Sequence, residues 1–180
     1  MANHCYNYIV FKGANVGKLK EAFGLYKQTE YFDDFVHLAT GKPIEEKKDP
    51  YRYGTRWFEF DTEIVDSETL IVSGDSAWSP VEGMTQAFCE HFNVSARIEF
   101  DESGCDFGGY TEYDDQGNIT DSLTTTYAEW RYLEDKDSAI QNLIEDIVDT
   151  RDDLEDEDIE DMISYLTEED KEYVLKQIKS

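Results

Sequence analysis

Residues 150–170 read TRDDLEDEDIEDMISYLTEED, and eleven of these twenty-one side chains are carboxylates against one cation, Arg151. Carboxylates at this density could bind a divalent cation, act as an acid–base pair, or present fixed negative charge to a basic surface. An EF-hand calcium loop needs glycine at its sixth position and glutamate at its twelfth, and no twelve-residue window here fits. No metal or other cofactor is therefore expected. Acid–base catalysis needs a pocket that separates two carboxyl pKa values. Nothing in the spacing marks one, so no catalytic residue is assigned and the chain is read as not an enzyme. Fixed charge remains, carried by Asp152, Asp153, Glu155, Asp156, Glu157, Asp158, Glu160 and Asp161.

The formal net charge of the 180 residues is -26, and it is unevenly spread. Residues 1–56 carry +2, residues 57–133 carry -15, residues 134–170 carry -15 and the last ten carry +2. The first acidic block supplies a secondary patch of Asp101, Glu102, Asp106, Asp114 and Asp115. Such a field repels nucleic acid and anionic membrane and attracts basic surfaces. The expected partner is a protein with a basic, nucleic-acid-binding surface, with no direct nucleic-acid or membrane contact. If residues 134–170 formed one straight helix, they would span about 55 Å at about 1.5 Å per residue. Their net charge would then fall about every 3.7 Å, close to the spacing of about 3.4 Å along one strand of DNA.

Other chemically capable residues carry less. His4, Cys5 and Asn7 could suggest a metal or nucleophile cluster, but neighbours on a strand point to opposite faces. His37 and His91 lack partners at ligand spacing. The glycines of DESGCDFGG, residues 101–109, match no phosphate-binding pattern and read as a turn or bulge. Trp57, Trp78 and Trp130 could stack on bases, yet the surrounding acid favours packing roles. Trp57 and Trp78 are accordingly expected to be mostly buried. Cys5, Cys89 and Cys105 form no CxxC pair or disulfide framework, and Cys89 reads as a core filler. The opening MANHCYNYIVFKG has no basic region followed by an apolar run, and no stretch approaches the ~20 apolar residues of a membrane span. The expected location is the cytoplasm.

The elements that must position these residues follow from hydrophobic period. CYNYIVFKG alternates and predicts a strand ending at Gly13. Val16, Leu19, Ala22, Phe23 and Tyr26 predict a helix. A short helix is expected around 31–38, then a long loop between Pro43 and Pro50. RWFEFDTEIV and TLIVSGDSAW form a hairpin joined by DSE. Ser79 and Pro80 predict the start of a helix carrying Val81, Met84, Ala87, Phe88 and Phe92. SARIEFD is another strand, and residues 106–133 predict a hairpin turning at DDQGN. This order is that of a split βαβ, ferredoxin-like sheet: an α+β fold. After Asp137, Ser138 with Gln141 predicts a capping box. Ile140, Leu143, Ile144, Ile147, Val148, Leu154, Ile159, Met162, Ile163 and Leu166 then recur at helical spacing. Thr167 with Asp170 predicts a new helix carrying Tyr173, Val174 and Ile178. The acidic stretch is therefore an amphipathic helical segment rather than a disordered tail.

Four short pieces carry a family resemblance: Asn3-His4-Cys5-Tyr6-Asn7, Tyr53-Gly54-Thr55-Arg56-Trp57, Ala77-Trp78-Ser79-Pro80, and Gly104 followed by Phe107-Gly108-Gly109. Together they resemble the YubB-like ferredoxin-like domain of plasmids, phages and other mobile elements. His4 stands where that family has tryptophan, and Arg56 where it has lysine. The resemblance spans residues 1 to about 115. It marks Asn3, Cys5, Asn7, Gly54, Trp57, Trp78, Pro80, Gly104, Phe107 and Gly109 as motif residues. It implies the fold already derived and a mobile-element origin, and it implies no activity.

The expected organisation is a ferredoxin-like domain with a hairpin extension over 1–133 and an acidic amphipathic appendage packed on it over 134–180. The expected function is a non-enzymatic inhibitor or interaction protein whose acidic surface mimics nucleic acid toward a host defence protein, of anti-CRISPR or anti-restriction type. The alternative is a ferredoxin-like module for peptide or small-ligand binding whose acidity only keeps it soluble.

Overall fold

The first strand, β1 (His4–Lys12), alternates without a break: Cys5, Asn7, Ile9 and Phe11 are fully buried, and Tyr6, Tyr8, Val10 and Lys12 face the other way. The structure, a computed structural model, describes residues 3–43, 51–151 and 154–178. The loop expected over 44–50 lies outside them. β2 (Phe58–Asp66) and β3 (Thr69–Ala77) form the expected hairpin, and β3 and β4 (Ser95–Glu102) flank β1, all antiparallel. The order β2-β3-β1-β4 is the one that a split βαβ connection produces. β5 (Phe107–Tyr113) adds antiparallel to β4, and β6 (Ile119–Thr125) completes a six-stranded sheet.

Helices α1 (Val16–Phe23), α2 (Phe32–Ala39) and α3 (Glu82–Phe92) share one core with the inward side of the sheet. Phe23 is at its centre. Its ring lies 6.3 Å from Phe11, 5.9 Å from Phe35, 5.0 Å from Phe60 and 5.3 Å from Phe88, centroid to centroid. It thus ties β1, β2 and all three helices through edge-to-face and tilted contacts. α1 ends three residues before Tyr26, which opens a short 3-10 turn and packs against Phe35 and Phe60.

The chain divides into two units, residues 1–124 and 125–180. The expected hairpin over 106–133 is therefore shorter than predicted. It turns where Asp114 N–H bonds to Asn118 O at 3.0 Å, and its second strand ends at Thr125. The Thr126 hydroxyl then accepts the Glu129 N–H and starts α4 (Tyr127–Glu134). A side-chain cap outweighs the β-propensity of the threonine run before it.

In the second unit, α5 (Lys136–Thr150), α6 (Asp156–Met162) and α7 (Glu168–Gln177) bury Ile140, Ile147, Ile159, Ile163, Leu166, Val174 and Ile178 together. The expected stripe is largely this core, although Val148 and Tyr173 are each half exposed. The straight-rod spacing over 134–170 does not apply, because the stripe folds into separate helices that close on one another. The start of α5 is corrected too: Asp135, not Ser138, caps it, accepting the Ser138 N–H at 3.2 Å and its hydroxyl at 2.7 Å. Thr167 caps α7 as expected, accepting the Asp170 N–H at 3.3 Å. The buried Asp170 carboxylate accepts the Thr167 hydroxyl at 2.5 Å and the Tyr132 hydroxyl at 2.6 Å, with Lys136 Nζ at 2.9 Å. These partners, Thr167 foremost, hold its pKa down to about 2.

Candidate functional site

Most of the motif residues meet at one end of the first unit's sheet, where they satisfy one another. Asn7, fully buried, donates through Nδ2 to Cys5 O at 2.8 Å and Ser76 Oγ at 2.9 Å, and its Oδ1 accepts the Val81 N–H at 3.0 Å. That last bond takes the place of the expected Ser79 cap: α3 begins at Glu82, and the Ser79 hydroxyl donates instead to Gly54 O. Ser76 Oγ donates to Ser79 O at 2.7 Å, and Thr55 Oγ1 to Ala77 O at 2.9 Å. Gly54 has φ +99°, and a Cβ there would lie 2.3 Å from Pro80 O. Gly109 has a similar reason, since a Cβ would lie 2.0 Å from Leu123 O on the neighbouring strand. Gly104 and Phe107 flank the turn between β4 and β5, with Gly104 against the Asn3 side chain and Phe107 against Phe100. These bonds shape the backbone at this end of the sheet, and beside them the buried Glu102 Oε2 has no hydrogen-bond partner among the described residues.

Trp57 is mostly buried as expected, whereas Trp78 departs from its expected burial. Trp57 lies edge-on to His4 at 5.3 Å, and Trp78 is 43% exposed at φ +70°. The Trp78 N–H bonds to Asn3 O at 3.0 Å, so the turn into α3 sets its backbone and turns the ring outward.

The carboxylates singled out between residues 152 and 161 are exposed wherever the structure describes them, whereas Asp170 is buried. Asp152 and Asp153 lie outside the described residues. Glu155, Asp156, Glu157, Asp158, Glu160 and Asp161 are all exposed, while Ile159 and Ile163 turn inward. Asp158 accepts the Glu155 N–H at 2.8 Å and so anchors the start of α6. The secondary patch is not one patch. Glu102 is only 3% exposed and faces the core side, its Oε1 accepting the Gly104 N–H at 3.0 Å. Asp106 and Asp114 lie at opposite ends of β5, about 25 Å apart at about 3.3 Å per residue. Asp114 holds the β5–β6 turn by accepting the Asn118 side-chain amide at 3.0 Å and the backbone N–H groups of Asn118 and Gln116; these bonds, the Asn118 side chain foremost, lower its pKa.

What the sheet does bring together was not predicted. Among the described residues, no helix of the first unit covers its outward face. Strand register lines up Glu59, Asp75, Tyr6 and Asp101 in one row, then Asp61, Ser73, Tyr8, Glu99 and Tyr110, then Glu63, Ile71, Val10, Arg97 and Glu112. The sequence signals were the alternations FEFDTEIVD, which puts Glu59, Asp61 and Glu63 on one side of β2, and SARIEFDE, which puts Arg97, Glu99 and Asp101 on one side of β4. Arg97 is clamped on this face by Glu99 and Glu112, each at 2.7 Å, with its guanidinium 3.9 Å over the Tyr110 ring.

A family model described as the ferredoxin-like domain in Api92-like protein matches residues 52–143. The chain belongs to this family. No curated protein and no solved structure matches it. The matched part of the Api92-like domain begins just before β2 and runs into α5, so β1, α1 and α2 precede it. It holds four of the five strands that form the acidic rows.

The remaining chemistry within this Api92-like chain is modest. Burial pushes the Cys5 and Cys89 thiols up to about 12, which keeps them protonated. Cys105 is exposed and also raised, chiefly by its hydrogen bond to Glu102. Among the described residues no three His, Cys, Asp or Glu side chains form a group able to hold a metal ion. No helix among them is long and apolar enough to cross a membrane. A cleft of about 310 Å³ beside α4 and α5, lined by Tyr127, Arg131, Asp135, Asn142, Asp146 and Tyr165, holds a carboxylate already committed to a helix cap in Asp135.

Proposed function

We propose that the chain is a non-enzymatic interaction protein of a phage or plasmid. It presents carboxylates to the basic, nucleic-acid-binding surface of a host defence protein in the cytoplasm, in the manner of an anti-CRISPR or anti-restriction inhibitor. The motif resemblance to YubB-like domains supports the mobile-element origin. The observation that carries the binding reading is on α6. Six carboxylates between Glu155 and Asp161 are exposed, and among the described residues none of them is in an ion pair. Glu155 and Asp158 cap the helix, but the like-charge pairs Asp156–Glu160 and Glu157–Asp161, four residues apart, oppose it. Their energetic return is attraction to a cationic partner, which accelerates encounter and selects against acidic surfaces.

Spacing supports the reading in a form different from the long rod. The seven residues of α6 rise about 10 Å at about 1.5 Å each. Asp156, Glu157, Asp158, Glu160 and Asp161 thus place one charge per about 2 Å, near the value of about 1.7 Å of axis for duplex DNA. The test is affinity capture from host lysate with and without competing DNA. It compares the parent with a variant carrying Asp156→Asn, Glu157→Gln, Glu160→Gln and Asp161→Asn. Asp158 is kept because it anchors the helix. Binding should fall at least about tenfold in the variant, DNA should compete with the parent, and added salt should weaken the parent steeply. A variant captured as well as the parent would reduce these carboxylates to a solvated helix face.

A further inference from the structure

We propose that Glu102, Cys105 and Asn3 form a site for one thiophilic divalent cation, zinc foremost, at the turn from β4 into β5. The site lies in the first unit and does not depend on α6.

The carboxylate carries the argument. Glu102 is 3% exposed, and one of its oxygens, Oε1, accepts the Gly104 N–H at 3.0 Å. The other, Oε2, is buried with no hydrogen-bond partner. Among the described residues no lysine, arginine or histidine pairs with Glu102. Burying a carboxylate oxygen is costly unless a donor or a cation satisfies it.

Two further donors meet this carboxylate. The Cys105 thiol is exposed, in no disulfide, and hydrogen-bonded to Glu102. The Asn3 amide lies 3.8 Å from Cys105 Sγ. A Cβ at Gly104 would come 2.5 Å from Asn3 Nδ2 and 3.0 Å from Glu102 Oε1, so amide and carboxylate close over one Cα. Turning the Asn3 amide over puts Oδ1 where Nδ2 meets the sulfur, a change of nearly the same shape. Asn3 stands 102 residues from Cys105 in the chain, so no ligand spacing marks the cluster in the sequence.

The separation suits zinc. In a tetrahedral site with Zn–S of about 2.3 Å and Zn–O of about 2.1 Å, sulfur and oxygen lie about 3.6 Å apart. The amide and the sulfur are already at 3.8 Å. The cation would bond Glu102 Oε2, Cys105 Sγ and Asn3 Oδ1, with water at the fourth corner. The thiol proton leaves to solvent, and the thiolate and the carboxylate together balance the two charges of the cation. Sulfur selects zinc over magnesium or calcium. Only two of the donors are Cys or Glu, so the site is open and weaker than a closed set of four cysteines and histidines.

The test titrates cobalt(II), a coloured stand-in for zinc, into the reduced full chain. Excess magnesium is present to occupy the surface carboxylates. One equivalent should develop the cobalt–thiolate charge-transfer band, and zinc should abolish it. Cys105→Ser should remove the band, and Cys89→Ala should keep it. Glu102→Gln and Asn3→Ala should each weaken cobalt binding at least about tenfold. Circular dichroism confirms that each variant is folded, and the exposed position of Cys105 makes its variant safe for the fold. The α6 variant above should keep the band even where partner capture is lost, so the two proposals fail separately. No band, a band that survives Cys105→Ser, or parental affinity in either Glu102→Gln or Asn3→Ala would overturn the assignment.

Discussion

Replacing Asn7 with alanine should destabilise the first unit by about 4–6 kcal/mol, at the upper end for a single substitution. Asn7 Oδ1 is the acceptor for the Val81 N–H, and Val81 is fully buried, so no water replaces it. Stranding that donor costs about 1–3 kcal/mol. Loss of the bonds to Cys5 O and Ser76 Oγ adds about 1 kcal/mol each, and the small void left by the amide adds about 1 kcal/mol. Asn7→Asp is the informative companion. It keeps an acceptor for Val81 but sets a carboxylate oxygen against the Cys5 carbonyl, so it should cost as much or more. The assay is urea unfolding read by native-state exchange of the β1 amides, which isolates this unit, with the midpoint converted at constant slope. A loss under about 1 kcal/mol for Asn7→Ala would show that water or backbone adjustment satisfies Val81. The structural account of the motif network would then fail.

Trp78 adopts φ +70°, where a bulky L-residue is strained by about 1–2 kcal/mol. Trp78→Gly should therefore change thermal stability by less than about 1 kcal/mol, and a loss of several kcal/mol in a denaturation scan would return the ring to the core. Asp170 has a folded-state pKa of about 2, below its unfolded value, so its contribution to the second unit is present above about pH 4. It should be lost as pH falls from about 4 through about 2. Asp170→Asn should remove that acid-dependent component from a pH titration of helix stability, and an unchanged acid profile would contradict the assigned contacts. An aromatic disulfide reagent at mildly alkaline pH should modify Cys105 alone in the folded protein and all three thiols after denaturation. Rapid labelling of Cys5 or Cys89 would mean that the core opens readily.

Period and punctuation alone determined much of this protein. Strict alternation in CYNYIVFK placed β1 and set His4 and Cys5 on opposite sides, because adjacent strand residues must point opposite ways. The 3.6-residue repeat identified α1 and α3, and the element order led to the split βαβ sheet. Thr167 with Asp170 marked the start of α7, since a cap is a local interaction within one turn. Local pattern failed where the deciding partner was distant in sequence. The Val81 N–H is satisfied by Asn7, seventy-four residues away, which moved the start of α3 past Pro80. The apolar stripe after residue 137 was visible, but its folding back into one small core was not, because a stripe records which face is buried and not against what. The acidic sheet face shows the same limit. Glu59, Asp75 and Asp101 come from three strands, and only hydrogen-bond register, fixed when the strands pair, sets them in one row with Tyr6.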